Sequence, residues 1–572
     1  MKEKERENRG TSFKKFDKQL NIIRMKKNLI KILSIAIMGV LIASCSNPAK
    51  MAKNAQLVGT NCTPAVLEVI ADEITATYDL TFPGGYFHPK AILEVVPVLV
   101  YQGGEVAAPT FKLQGEKITD NYRVIPSTGG KASNTIKFTY VPGMEKSHLE
   151  LRVAVWNKLK KTNFPAPYKL ADGANITYKL VNTTGYAAVA PNQYQKVIRE
   201  QKETQIMYLV NKSDVRNSEL TKTEIKEFEQ FLAAIDKDER RVVNKTDIIA
   251  YASPEGPVDL NTKLSDNRST TAKTAFDKIT KNVSSAPVNV ASVGEDWDGF
   301  QELVAASNIQ DKELILRVLS MYSDPMVRER EIKNMSVVFK TLADKILPEL
   351  RRARMIANID YTNYRDEELV DLSKTNIEIM DEQALLYTGT LVTDAAAKEV
   401  LYKKAGDKFG SDAGYINLAA VYAGENKTAD AKSALSKVKD KNSAYYTNNA
   451  GVVALQEKNY AEAANQFAKS NLKEARYNEG ILDILNGKYT SAVSKLAGEG
   501  FHNEVLAYLL TNQVDKADAV KIHECARCAY FKAIIAARRG NATEFAKMME
   551  VVNTNEALKA RAANDIEFAR YR

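Results

Sequence analysis

Residues 417–435 read NLAAVYAGENKTADAKSAL, and this pattern recurs as NAGVVALQEKNYAEAANQF at 449–467 and as NEGILDILNGKYTSAVSKL at 478–496. The copies are spaced 32 and then 29 residues apart. Small residues recur at two positions of the pattern, where they allow two helices of a hairpin to approach closely. The first position holds Ala419, Gly451 and Gly480, and the second holds Ala431, Ala463 and Ala492. One turn later, an apolar position holds Leu435, Phe467 and Leu496.

This pattern resembles the tetratricopeptide repeat, whose period is about 34 residues. The resemblance implies an all-α solenoid over residues 375–572, with weaker copies at 382–405 and 528–549. Stacked helical hairpins form a concave groove that binds peptides or partner proteins. The alternative is that the repeats only pack against the rest of the molecule.

Residues 61–195 have the pattern of β-strands. Segments such as EITATYDLTF (73–82) and AILEVVPVLVY (91–101) are rich in β-branched and aromatic residues, and Gly/Pro-rich turns separate them. Repeated short strands of this kind predict an all-β, immunoglobulin-like sandwich. The isolated side chains His88, His148 and Trp156 are interpreted as packing or surface residues.

Residues 203–362 alternate between strand and helix patterns, which predicts an α/β domain with a small sheet. The segment IIAYASPEGPVDLNTKLSDNRSTTA (248–272) resembles the C-terminal peptidoglycan-binding domain of the OmpA-like family. That family has a strand ending in Thr-Asp, then Gly, Asn and Leu-Ser-x-x-Arg. The matching residues of this chain are Gly256, Asn261, Leu264, Ser265 and Arg268. Extra helical sequence near 300–345 interrupts the resemblance.

The OmpA-like resemblance implies that the ligand is the peptidoglycan stem peptide, whose diaminopimelate carries a free carboxylate and a free amine. An arginine fork binds a carboxylate through two parallel hydrogen bonds, and Arg268 would have that role. Ser265 is predicted to cap a helix whose first N–H groups add donors, while Asn261 binds the peptide or holds the loop. The family aspartate aligns with Ser253, so its carboxylate is missing. Glu255 and Asp259 are the candidates to replace it.

The N-terminal residues 1–44 have the pattern of an export signal. Residues 25–27 read MKK, an apolar run covers 32–43, and two small residues precede Cys45. The run is too short for a spanning helix, which needs about 20 apolar residues. Small residues directly before a cysteine resemble a bacterial lipobox, which implies acyl chains on the Cys45 thiol and cleavage before it.

The residues around this signal predict a start site and a location. Residues 1–24 are polar and precede a complete signal, so we predict translation to start at Met25 rather than Met1. Residues 45–60 form a tether. Ser46 follows the cysteine, and no acidic cluster follows in SNPAKMAKN. By resemblance to bacterial lipoproteins, Ser46 favours the outer over the inner membrane. By resemblance to lipoproteins of Bacteroidetes type, the missing acidic cluster favours the periplasmic face.

The net charge of +9 suggests a polyanion-binding protein only at first sight. Residues 1–44 hold 11 Lys and Arg against 4 Asp and Glu, so the remaining 69 basic and 67 acidic residues leave a charge of +2. The excess therefore belongs mostly to the export signal, and we expect no nucleic-acid partner.

Three cysteines remain after the signal: Cys62, Cys525 and Cys528. The last two form a CxxC motif with His523 two residues before it. A metal or redox site needs a second pair of ligands or a thioredoxin-like context, and the sequence pattern indicates neither. The prediction is therefore buried helical cysteines or an incidental disulfide, with no metal and no cofactor.

The chain has four histidines and lacks GxSxG, HExxH and P-loop motifs, so no catalytic residues are predicted. Glu295, Asp296 and Asp298 surround Trp297, and a capped helix start explains them better than a catalytic carboxylate group. The first hypothesis is a non-enzymatic lipoprotein that links the outer membrane to peptidoglycan and recruits proteins through its repeats. The second is a periplasmic assembly factor or chaperone for outer-membrane or surface proteins. The third is an enzyme acting on peptidoglycan.

Overall fold

The computed structural model describes residues 47–281, 283, 286–309 and 312–572, without the side chains of 336–338. Cys45 and the predicted export signal lie outside these residues. The chain divides into two compact units. The first unit joins the described part of residues 1–190 to residues 412–572, and the second unit spans 191–411. Among the described residues, no helix has the length and apolar character needed to cross a membrane.

The first unit begins with a short helix α1 (Ala49–Lys53) and a β-rich region. Its strands are β1 Gly59–Thr63, β2 Val66–Ile70, β3 Glu73–Phe82, β4 Ile92–Tyr101, β5 Gly104–Ala107, β6 Phe111–Gly115, β7 Arg123–Ile125, β8 Gly130–Thr139, β9 Ser147–Asn157, β10 Lys160–Asn163 and β11 Tyr168–Asn175. They pair in the order β1-β3-β2-β11-β9-β4-β6-β7, while β8 pairs with β3, β5 with β4 and β10 with β9. Strand β2 joins the two halves of this sheet, since it is antiparallel to β3 and parallel to β11.

Side-chain alternation explains why these segments are strands. In β3 every second residue is buried, namely Ile74, Ala76, Tyr78, Leu80 and Phe82. A period of two places one face of a strand on the core and the other in solvent. The predicted β-rich N-terminal region is therefore confirmed.

The second unit contains a four-stranded sheet in the order β12-β15-β13-β14. Its strands are β12 Val197–Met207, β13 Arg241–Ala252, β14 Val288–Glu295 and β15 Arg352–Thr362. Strand β13 is parallel to β14 and antiparallel to β15. Its helices are α2 Asn217–Leu220, α3 Thr223–Ile235, α4 Val258–Ile279, α5 Trp297–Ala306, α6 Lys312–Met321, α7 Pro325–Asn334, α8 Ser336–Lys345, α9 Asp366–Thr375, α10 Glu382–Leu391 and α11 Ala395–Phe409.

Two apolar cores stabilise this unit. In the first, Phe228 of α3 and Phe276 of α4 pack against Ile248 and Met355 of the sheet. In the second, Trp297, Phe300 and their neighbours join helices α5 to α8, which form the extra helical sequence after β14. The carboxyl end of β13 lies next to the start of α4, and this junction carries the residues of the OmpA-like resemblance.

The helical part of the first unit, residues 412–572, is called the array below. Its helices are α12 Asp412–Gly424, α13 Thr428–Ser436, α14 Ala444–Gln456, α15 Tyr460–Phe467, α16 Lys473–Leu485, α17 Tyr489–Leu496, α18 His502–Leu510, α19 Val514–Ala519, α20 Ala526–Arg539, α21 Ala542–Val552 and α22 Glu556–Ala562. Successive helices pack as hairpins, beginning with α12/α13 and ending with α20/α21. A C-terminal all-helical repeat region is therefore confirmed, but residues 375–411, including the predicted leading copy at 382–405, belong to the second unit.

Candidate functional site

A run of extended chain, residues 182–190, lies against the first helices of successive hairpins in the array. We call this run the strap. It follows the 3-10 turn Thr177–Leu180 and has no regular secondary structure of its own. Four first helices each present one asparagine to it, and all four side chains are buried. They are Asn417 on α12, Asn449 on α14, Asn478 on α16 and Asn503 on α18.

Each of these asparagines binds both main-chain groups of one strap residue. The Ala188 N–H donates to Asn449 Oδ1 at 2.8 Å, and Asn449 Nδ2 donates to the Ala188 carbonyl at 2.9 Å. The same pair of hydrogen bonds joins Asn503 to Asn182, Asn478 to Tyr186 and Asn417 to Ala190, at 2.6–3.2 Å. A carboxamide suits this task because it holds a donor and an acceptor side by side.

The register of these bonds follows from the geometry of extended chain. The bonded strap residues all have even numbers, because alternate residues of an extended chain present N–H and C=O to the same edge. Thr184 falls between two asparagines, and Gln456 Nε2 donates to its carbonyl at 2.7 Å. The first three asparagines open the repeated patterns at 417, 449 and 478, so they were visible in the sequence. Nothing in the sequence of the strap indicated that these asparagines bind it.

Side-chain packing fixes the strap further. The Tyr186 ring meets the rings of Tyr477 and Phe501 edge to face, with centroids 5.9 and 5.7 Å apart. Gly185 has φ +79°, and a methyl group at its Cα would lie 2.9 Å from Val452. This position therefore requires glycine both for its left-handed backbone and for its close approach.

The predicted repeat-packing residues lie at the contacts between paired helices. A methyl group placed on Gly451 would lie 2.4 Å from the Phe467 ring, and one on Gly480 would lie 2.7 Å from Leu496. The four alanines of the pattern are buried: Ala419, Ala431, Ala463 and Ala492.

A second candidate site lies at the junction of β13 and α4 in the second unit. Here the predicted ligand-binding residue Arg268 is only 1% exposed. Its guanidinium donates to the main-chain carbonyls of Lys212 at 3.0 Å, Tyr251 at 2.9 Å and Leu209 at 3.3 Å. Burial lowers the pKa of Arg268 to about 10, so it stays charged at neutral pH. Arg268 thus joins the end of β13 to the segment 209–212.

A carboxylate lies beside Ser253. Ser253 Oγ donates to Glu255 Oε1 at 2.7 Å. The same carboxylate accepts two bonds from Arg351, at 2.9 and 3.0 Å. The side chains of Arg351 and Glu255 are 12% and 25% exposed, respectively, so this ion pair reaches solvent.

The other residues of the motif build the loop and the helix. Asn261 Nδ2 donates to the Gly256 carbonyl at 3.0 Å and to Glu295 Oε1 at 2.9 Å. Leu264 is half-buried. The predicted cap at Ser265 is wrong, because α4 already begins at Val258 and Ser265 lies fully buried inside it. The N–H groups of residues 265–267 are therefore not free helix-terminal donors.

The acidic residues around Trp297 have structural partners. Asp296 caps α5 by accepting from the Gly299 N–H at 2.9 Å, and Arg352 donates to the same carboxylate at 2.8 Å. Trp297 Nε1 donates to Glu295 at 2.9 Å. The capped helix start predicted from the sequence is confirmed.

Among the solved structures, the chain is similar to a tetratricopeptide repeat protein from Parabacteroides merdae ATCC 43184. The two are 16% identical, the match covers 34% of this chain and 88% of that chain, and the TM-score is 0.27. No protein-family model and no curated protein match the sequence.

Proposed function

We propose that the chain is a cell-envelope lipoprotein that binds peptidoglycan through its second unit and protein partners through its array. Acyl chains on Cys45 anchor it in the outer membrane, facing the periplasm. In this proposal the second unit has an OmpA-like fold and the β-rich region is an immunoglobulin-like sandwich. The protein has no enzymatic activity and acts as a tether and scaffold.

The observation that supports peptidoglycan binding is the ion pair between Glu255 and Arg351 beside Ser253. Diaminopimelate carries a carboxylate and an ammonium group on the same carbon. When this zwitterion binds, it replaces the bonds between Arg351 and Glu255: Arg351 receives the carboxylate through its planar fork, and Glu255 receives the ammonium group. Arg268 is a positioning residue in this arrangement, because it donates to the carbonyl of Tyr251 at the end of β13 and to two carbonyls of the segment 209–212.

Protein recruitment by the array uses surfaces other than the asparagine row, the name used here for Asn417, Asn449, Asn478 and Asn503. That row already binds the strap, and a bound peptide would have to displace nine residues of chain. Exposed helix faces of the hairpins are therefore the docking surface in this proposal.

One observation favours the second hypothesis, an assembly factor or chaperone. The asparagines recognise main-chain groups only, so they suit any extended segment that reaches them. An extended client that displaces the strap would be held in the same way, whatever its side chains. In this alternative the second unit serves only as a scaffold.

Co-sedimentation with purified peptidoglycan tests the main proposal. The mature chain without its lipid is expected to sediment with the peptidoglycan. Arg351→Ala and Glu255→Gln are expected to reduce the bound fraction at least about tenfold, the equivalent of losing one charge-assisted contact. Arg199→Ala, at an exposed position of β12, is the matched control and should bind normally. Equal binding by all four chains would show that the proposed site is wrong.

Two further experiments test the remaining parts. Mass spectrometry of the mature N-terminus should find acyl chains on Cys45, and an unmodified cysteine would contradict membrane anchoring.

Photo-crosslinking from exposed array positions should capture envelope proteins in their folded state. Crosslinks from the asparagine row to unfolded outer-membrane proteins would instead support the chaperone alternative.

A further inference from the structure

Four side chains of types that bind metals converge between α18 and α20 of the array. His502 begins α18, His523 lies in the loop before α20, Cys525 caps α20 and Cys528 lies in its first turn. One ligand atom of each residue lies within 4.8 Å of the others. His502 Nε2 is 3.0 Å from Cys528 Sγ and 3.5 Å from Cys525 Sγ. The two sulfur atoms are 2.9 Å apart, and both cysteines are free thiols.

This cluster supplies the ligands that the CxxC motif lacked in the sequence. His523 is two residues from Cys525, but His502 is 23 residues away and comes close only because α18 packs against α20. Half of the histidines in the chain take part, together with two of the three cysteines among the described residues. The prediction of buried helical cysteines or an incidental disulfide did not include His502, and both cysteines are free.

We propose that His502, His523, Cys525 and Cys528 bind one Zn²⁺ ion. Two thiolates and two imidazoles are a ligand set that zinc binds tetrahedrally. Zn–S bonds of about 2.3 Å and Zn–N bonds of about 2.0–2.1 Å place tetrahedral ligand atoms about 3.3–3.8 Å apart. The separations in the cluster lie on both sides of that range, so small side-chain rotations suffice.

The surroundings suit a zinc site. The Cys528 N–H donates to Cys525 Sγ at 3.2 Å, and the positive end of α20 lies at both sulfur atoms. Binding replaces the two thiol protons by two Zn–S bonds, and no electrons are transferred.

A site with four protein ligands is closed, so the ion has a structural role. It joins the hairpin of α18 and α19 to the following helix α20. His502 directly precedes Asn503, which binds the first residue of the strap. Zinc therefore also fixes Asn503, the last asparagine of the row, and loss of zinc should loosen residues 182–184.

Zinc analysis of the purified mature chain tests this inference. The chain is prepared under reducing conditions, given ZnCl₂ and dialysed, and its metal content is measured by mass spectrometry. One zinc per chain is expected, and Cys525→Ser with Cys528→Ser should abolish it. Cys62→Ser and His148→Gln are the matched controls, because they remove the same residue types outside the cluster, and both should keep the metal.

Cobalt substitution keeps the inference falsifiable if the double variant does not fold. Co²⁺ added to the wild-type chain should give the intense visible absorption of a tetrahedral thiolate site, and Zn²⁺ should abolish it. Folded wild-type chain that retains no zinc and gives no such spectrum would overturn the inference. A Cys525–Cys528 disulfide found by peptide mass spectrometry in chain prepared with zinc under reducing conditions would overturn it as well.

Discussion

Asn449 and Ala188 lie 261 residues apart in the sequence and exchange two hydrogen bonds of 2.8 and 2.9 Å in the structure. This pair joins the end of the β-rich region to the middle of the helical array, within one compact unit. Because three other asparagines repeat the arrangement, the strap is a built-in part of the array. The asparagines on the first helices of these hairpins are therefore already occupied by the protein's own chain.

We expect Asn449→Ala to destabilise the first unit by about 2–4 kcal/mol, because it leaves a buried N–H and a buried carbonyl without a partner. Urea unfolding followed by circular dichroism measures the change. Asn465→Ala, at an exposed position of α15, is the matched control and should change the free energy of unfolding by less than about 0.5 kcal/mol. Equal effects of the two substitutions would show that the strap contributes little to stability.

Two glycine substitutions in array helices should change the free energy of unfolding in opposite directions. Gly451→Ala places a methyl group 2.4 Å from the buried Phe467 ring, so we expect a loss of about 1–3 kcal/mol. Gly424→Ala meets nothing within 4 Å at the end of α12, so we expect a gain of up to about 1 kcal/mol from helix propensity. Thermal unfolding of both variants is the measurement. A stable Gly451→Ala variant would contradict the close packing of α14 on α15.

Arg268→Ala should unfold or loosen the second unit rather than simply remove a ligand contact. The substitution leaves the carbonyls of Leu209, Lys212 and Tyr251 without their charged donor, and since only Tyr251 is a buried residue we expect a cost of about 1–3 kcal/mol. Hydrogen exchange of the amides at 209–212 and 251 reports this loosening. Arg199→Ala should leave the same amides protected. If Arg268→Ala keeps full protection and still loses peptidoglycan, Arg268 contacts the ligand directly.

Acid should weaken the first unit through Glu567. Burial alone would raise the pKa of Glu567, but hydrogen bonds from Arg538, Asn175 and Thr177 hold it below its usual value. Its contribution is therefore complete above about pH 4.3, the ordinary value for glutamate, and is lost as the pH falls through the lowered pKa. The difference in unfolding free energy between wild type and Glu567→Gln should shrink below that pH. A difference that stays constant to pH 3 would contradict this prediction.

Local patterns predicted much of this fold. The alternation of apolar and polar residues identified β3. Small residues at a fixed spacing within each repeat identified the helix pairs around Gly451 and Gly480. The predicted cap at Ser265 failed because Ser-x-x-Arg suits either a helix start or a helix interior, and the preceding Pro257 had already allowed the helix to begin. The strap and the partnership of His502 with Cys528 could not be predicted, because both depend on contacts between distant segments.

The most direct test of the proposed function is a calorimetric titration of the mature chain with a soluble stem peptide that contains diaminopimelate. We expect saturable binding that Arg351→Ala abolishes, while Arg199→Ala leaves it unchanged. A matched peptide with lysine in place of diaminopimelate lacks the second carboxylate and should bind at least about tenfold more weakly. Absence of binding by the folded wild-type chain, or equal affinity for the two peptides, would contradict the proposed recognition of peptidoglycan.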